Sequence, residues 1–176
     1  MTFKKTFLPA LILAAICLVC AAALSLTDRL TADRIARVER ERYLNSAKAV
    51  LPEGAHLSEI FCEGVTGFIG RDDAGALMGY AVKTTARGYG GTVTCVVGFD
   101  TEGKIIGITV NAPDETPGLG SHVTEAPFTD AFLGAEAPPI LGEDIDAVTG
   151  ASYSSRAVES AVKQAFAAFE KITKGE

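Results

Sequence analysis

Three short segments carry residue types that could do chemistry. The first is Asp146-Ala147-Val148-Thr149-Gly150-Ala151-Ser152-Tyr153-Ser154-Ser155-Arg156, which is dense in hydroxyls and opens the last apolar-periodic run of the chain. A helix N-terminus presents unpaired amides and a positive partial charge, so this placement suits an anionic group such as a phosphate. Gly150 and Ala151 leave room for close backbone approach. Ser154 or Ser155 as a simple N-cap fits the local pattern equally well. The second segment is Asp114-Glu115-Thr116-Pro117-Gly118-Leu119-Gly120. A Pro-Gly pair followed by another glycine forces a tight loop with exposed amides, free to meet a ligand or simply to turn the chain. The third, Gly88-Tyr89-Gly90-Gly91, reads first as a turn between strands.

Most other constellations are missing. There are two histidines, His56 and His122, and no HExxH, GxSxG or GxxxxGK pattern. Cys17 and Cys20 have CxxC spacing but lie inside an uncharged apolar run, a poor setting for a hydrated metal or redox site. Cys62 and Cys95 are far apart; a disulfide and two buried thiols both fit. No metal site and no catalytic residue of the chain's own are expected. A net charge of −6 and a pI near 5.0 exclude a nucleic-acid partner, because phosphate-backbone binding needs a basic surface. With 48% hydrophobic and 22% charged residues, disorder is excluded as the main state.

The elements that must position these segments follow from periodicity. At 176 residues the chain holds one domain and a little more. Thr6 to Leu26 carries no charge and, as a helix, spans about 31 Å, the thickness of a bilayer core. A cleaved signal peptide ending near Ala21-Ala22-Ala23 is the alternative, although the run is long for one. Lys4 and Lys5 place the N-terminus inside, whereas Arg29, Arg34, Arg37, Arg40 and Arg42 after the span pull the other way. Thr31 to about Leu51 favours an imperfect amphipathic helix, ended by Pro52-Glu53-Gly54.

Two hairpins are predicted next. Phe68–Gly70 and Leu77–Val82 flank Asp72–Gly75, and Thr92–Phe99 and Ile105–Val110 flank Asp100–Lys104. A short helix is expected over Glu125–Phe132. Val158, Ala161, Val162, Ala165, Phe166, Phe169 and Ile172 then mark a long amphipathic helix. The expected class is α+β: a transmembrane helix at 6–26 after a tip at 1–5, a stalk helix at 27–52, and a domain at 53–176 with an antiparallel sheet and a C-terminal helix.

Taken together, Gly88-Tyr89-Gly90-Gly91, Glu115-Thr116-Pro117-Gly118-Leu119-Gly120 and Thr149-Gly150-Ala151-Ser152-Tyr153-Ser154 resemble the FMN-binding domain of the Rnf electron-transport complex G subunit. The C subunit of the sodium-pumping NADH:quinone reductase is a relative. The resemblance covers the whole chain and is most specific at the ETPGLG loop.

This resemblance implies FMN attached covalently through a phosphoester to a side-chain hydroxyl. The family motif S/T-G-A-T/S-x-T/S points to Ser154 as acceptor, with Ser155 as rival and serine in place of the commoner threonine. Glu115, Thr116, Leu119, Gly120, Thr149, Gly150, Ala151 and Ser152 would border the cofactor. A separate flavin transferase would make the bond, and the other subunits and membrane lipid would be the partners. The implied function is an electron relay, not an independent enzyme, in an ion-translocating ferredoxin:NAD oxidoreductase. It would sit in the cytoplasmic membrane as a single-pass protein with the FMN domain on the outer face. Service to the quinone reductase or another membrane reductase is the alternative, and a non-redox anchored interaction domain is the second.

Overall fold

The structure is a computed structural model describing residues 3–62 and 65–174, with side chains of residues 3–8 and of Cys62 outside the description. The expectations placed on Lys4, Lys5 and Cys62 therefore lie outside the described residues. The chain forms two compact units, Met1–Arg42 and Tyr43–Glu176.

The first unit is helical. A single helix, α1 (Phe3–Val50), runs through both segments read as span and stalk. Pro9 sits in its first two turns, where few hydrogen bonds are lost. The helix is long and apolar enough to cross a membrane. Leu11, Leu13, Ile16, Leu18, Val19 and Leu24 all point outward and are more than half exposed. No face of this stretch is reserved for a protein core, as a lipid-facing helix requires.

The second unit is built on five antiparallel strands in simple meander order: β1 (His56–Cys62), β2 (Val65–Arg71), β3 (Leu77–Arg87), β4 (Thr92–Phe99) and β5 (Ile105–Asn111). Both expected hairpins are present. β1 went unread in the sequence, because His56-Leu57-Ser58-Glu59 is too polar to show a clean strand pattern. After β5 the chain passes through short 3₁₀ turns around α2 (Ala126–Thr129) and ends in α3 (Ser152–Lys174).

Both sheet faces are covered. On one, Val82, Val93, Cys95, Val97 and Phe99 meet Val158, Ala161, Val162, Ala165 and Phe166 of α3. Alternation along β4 gives this side Val93, Cys95 and Val97 and the other side Val96. On that other face Tyr43, Ala47, Val50 and Leu51 pack against Phe68, Ala81 and Val96. The last turns of α1 thus complete the folded unit, which begins at Tyr43.

This packing depends on two glycines facing each other across the β4–β5 ladder, Gly98 and Gly107. A Cβ at Gly98 would overlap the Val50 carbonyl oxygen, and one at Gly107 would lie 2.7 Å from the Val50 Cα. Backbone cannot yield as a flexible side chain can. Gly98→Ala is expected to displace the α1 end and cost about 1–3 kcal/mol, read as a lower thermal midpoint in detergent.

Burial pushes the Cys95 thiol up to about 12. It is free and fully buried. The folded chain holds this proton more tightly than the unfolded chain, so stability contributed here is kept below about pH 8.5 and lost as pH rises toward 12. Pulsed alkylation at pH 8 with peptide mapping should leave Cys95 unlabelled until the protein unfolds.

Candidate functional site

The three segments singled out in the sequence meet at one place. The β3–β4 turn supplies Gly88–Gly91, the loop after β5 supplies Asp114–Gly120, and the start of α3 supplies Gly150–Ser154. They enclose a cleft of about 580 Å³, lined by Tyr89, Glu115, Thr116, Leu119, Gly120, Gly150, Ala151, Ser152, Tyr153 and Ser154. That volume is typical of small-molecule sites.

Glu115 ties the segments together. Its carboxyl group is buried and accepts two hydrogen bonds. Ser154 Oγ donates to Oε2 at 2.6 Å, a length characteristic of hydroxyl bonds to carboxylates. The Gly90 amide donates to Oε1 at 3.2 Å. One side chain thereby joins the turn, the loop and the helix.

The glycines make this closeness possible. A Cβ at Gly120 would lie 2.6 Å from Glu115 Oε2 and 2.9 Å from Ser154 Oγ. One at Gly90 would overlap the Asp114 carbonyl oxygen. The turn reading of Gly88–Gly91 is right, and its glycines also let the turn approach the loop.

The helix start differs from expectation. α3 begins at Ser152, so neither Ser154 nor Ser155 is its N-cap. Ala151 occupies that position: its carbonyl accepts the first helical bond, from the Ser155 amide at 2.9 Å. Alanine has no side-chain oxygen to satisfy the first-turn amides, so they remain available. Ser155 Oγ instead donates to the Ala151 carbonyl at 3.0 Å and accepts from the Val148 amide at 3.0 Å. It is fully buried, and its role is to pin the segment before α3.

The hydroxyls of this segment therefore differ in access. Ser154, the expected acceptor, is 2% exposed and engaged with Glu115. Ser152 is exposed, at the first position of α3, and lines the cleft. Thr149, expected to border the cofactor, is exposed but does not line the cleft. Every other expected binding residue does. Tyr89 and Tyr153 line it as well and were not singled out, because a lone tyrosine in a turn or hydroxyl run has no spacing signal.

Two family models match the chain: the FMN-binding domain over residues 88–167 and the RnfG N-terminal region over residues 1–50. The G subunit of the Na⁺-translocating ferredoxin:NAD⁺ oxidoreductase complex of Acetobacterium woodii is 30% identical, covering 98% of this chain and 95% of that protein. The chain belongs to the RnfG family. The G subunit of an ion-translocating oxidoreductase complex of Aliivibrio fischeri is 31% identical over 93% of this chain and 89% of its own. The crystal structure of the C subunit of Na⁺-translocating NADH-quinone reductase from Parabacteroides distasonis shares the fold, with a TM-score of 0.51 at 20% identity. That match covers 61% of each chain, about three fifths of the solved structure.

The matched FMN-binding domain supports FMN as the cofactor, and its residues 88–167 include every residue that lines the cleft. The residues present fit that group. The cleft has the right size, an accessible hydroxyl and free helix-start amides for a phosphate, and exposed aromatic and apolar walls for a flat ring. No lysine or arginine is among its lining residues. Phosphate charge would be met by the helix N-terminus rather than by an ion pair. Among the described residues, no group of His, Cys, Asp and Glu could hold a metal ion.

Proposed function

We propose that this chain is the membrane-anchored electron relay of an Rnf-type ion-translocating ferredoxin:NAD oxidoreductase, carrying FMN as a phosphoester on Ser152. The observation that carries the reading is the convergence of the GYGG turn, the ETPGLG loop and the start of α3 on one cleft with an open hydroxyl. The matched RnfG N-terminal region over residues 1–50 favours this complex over the quinone reductase.

Ser152 takes the acceptor role first read for Ser154 because attachment by a separate transferase needs a hydroxyl that another protein can reach. Ser152 is exposed, while Ser154, at the cleft wall, is 2% exposed and its hydroxyl is already engaged with Glu115. The transferase would move the flavin phosphoryl group from an activated flavin phosphoanhydride to Ser152 Oγ, the rest of the anhydride leaving and the hydroxyl proton going to solvent, so the chain would gain FMN less water. Ser152 is the first residue of α3, so the unpaired amides there would be placed to meet the remaining phosphate charge.

FMN held there would supply the one- and two-electron chemistry. The chain's own residues bind, orient and shield. Glu115 holds the loop and the helix start in register, Gly120 permits their contact, and Leu119, about half exposed, supplies an apolar wall. The electron path through the site belongs to the cofactor and its neighbours, so no acid–base residue is needed.

The domain would lie on the outer face of the cytoplasmic membrane, with the other complex subunits and lipid as partners. Intact mass after co-expression with a flavin transferase tests the cofactor assignment: the expected gain is FMN less water, and an unmodified chain overturns it. Protease added to intact spheroplasts tests topology. The domain should be degraded, and protection would place it inside.

A further inference from the structure

We propose that Tyr89 and Tyr153 together form the stacking platform for the isoalloxazine ring of the cleft's flavin. The inference rests on the FMN reading above and names the residues that would hold the ring, which the family match leaves open.

Tyr89 comes from the β3–β4 turn and Tyr153 from the first turn of α3. Both line the cleft. They are 74% and 70% exposed, far more than a tyrosine retained for the fold. Despite that exposure they face one another, with ring centroids 6.3 Å apart and planes inclined at 53°. Two elements distant in sequence thus bring two aromatic rings to one rim.

The fold does not need them there. The links between turn, loop and helix run through Glu115, Ser154 and the Gly90 amide, not through either phenol. Both sheet faces are packed without them. The pair therefore presents aromatic surface to the cleft rather than to the core. A flat, electron-poor heteroaromatic ring would exchange its own and the tyrosines' exposed faces for mutual contact. Tyr153 is next to Ser152, so a ring tethered through a ribityl phosphate on Ser152 stays within reach of the rim.

The test uses the full chain in detergent, co-expressed with a flavin transferase. Adduct occupancy is read by intact mass, and flavin emission is then measured per mole of adduct. A stacked phenol quenches the excited flavin by giving it an electron that afterwards returns, so emission reports ring contact. Tyr89→Leu and Tyr153→Leu should each raise emission per adduct by about two- to tenfold, the range set by losing one aromatic contact. Tyr153→Trp, which restores an oxidisable stacking ring, should stay quenched. Full occupancy with unchanged emission in the Tyr89→Leu/Tyr153→Leu double variant overturns the platform and leaves the FMN reading standing. An absent adduct in the unsubstituted chain overturns both.

Discussion

Ser152→Ala is expected to leave the protein without flavin altogether, not merely with flavin held more weakly. Two observations support so large an effect. The hydroxyl is the exposed aliphatic one of Thr149–Ser154 that also lines the cleft. Moreover, no lysine or arginine lines that cleft, so a free flavin phosphate would find only the partial charge of the helix start. That interaction is worth about 0.3–1 kcal/mol near a surface, too little to retain a cofactor through purification. Intact mass and in-gel flavin fluorescence should both show complete loss. Ser152→Thr should keep the adduct, since the hydroxyl survives. Ser154→Ala should also keep it, at lower occupancy, because its role is to hold the loop. Retention of the full adduct in Ser152→Ala, with loss in Ser154→Ala, would return the acceptor role to Ser154.

The second large effect is expected at Glu115. This buried carboxyl group accepts from Ser154 Oγ and from the Gly90 amide. Glu115→Ala removes both acceptors: it leaves the buried Ser154 hydroxyl without its partner, while the amide of Gly90, an exposed residue, can turn to water. The unsatisfied buried hydroxyl costs about 1–3 kcal/mol and the lost bond of the exposed amide about 1 kcal/mol, so a loss of roughly 2–4 kcal/mol is expected. Glu115→Gln behaves differently. Its amide oxygen can accept from the Gly90 amide, while its nitrogen donates to a Ser154 hydroxyl turned to accept. Only the extra strength of a charged acceptor is lost, about 1 kcal/mol. Thermal unfolding of the two variants in detergent should separate them clearly. The flavin adduct should follow the same order, because the loop must be formed for the cleft to exist. Equal midpoints for Glu115→Ala and the unsubstituted chain would show that Glu115 does not join the three segments.

The strands and long helices were legible for ordinary reasons. Thr92–Phe99 and Ile105–Val110 are rich in β-branched residues, and Asp100–Lys104 between them is rich in turn formers. The stripe from Val158 to Ile172 has helical period and packs as that period requires. What went unread has a physical cause in each case. β1 is too polar at its start to announce a strand, and it is recruited by pairing with β2. The end of α1 reads as a stalk, yet Tyr43, Ala47 and Val50 are core. Nothing local to those residues reveals the sheet face, with Gly98 and Gly107, that receives them.

The sequence by itself determined which segments hold residue types able to meet a phosphorylated ligand. Hydroxyls at a helix start, a Pro-Gly loop and a glycine turn are local signals, set by backbone freedom and helix-end electrostatics. It also determined that one uncharged helix is long enough for a bilayer, since length and composition suffice for that. Only the tertiary structure decided how the hydroxyls divide their work. Ser152 and Ser154 are two residues apart on one helical turn, so they point in different directions: one to the open cleft, one to buried Glu115. Access and hydrogen-bond partners come from segments dozens of residues away, and no local pattern encodes them. The same holds for Tyr89 and Tyr153, which become a pair only when the β3–β4 turn folds beside the start of α3.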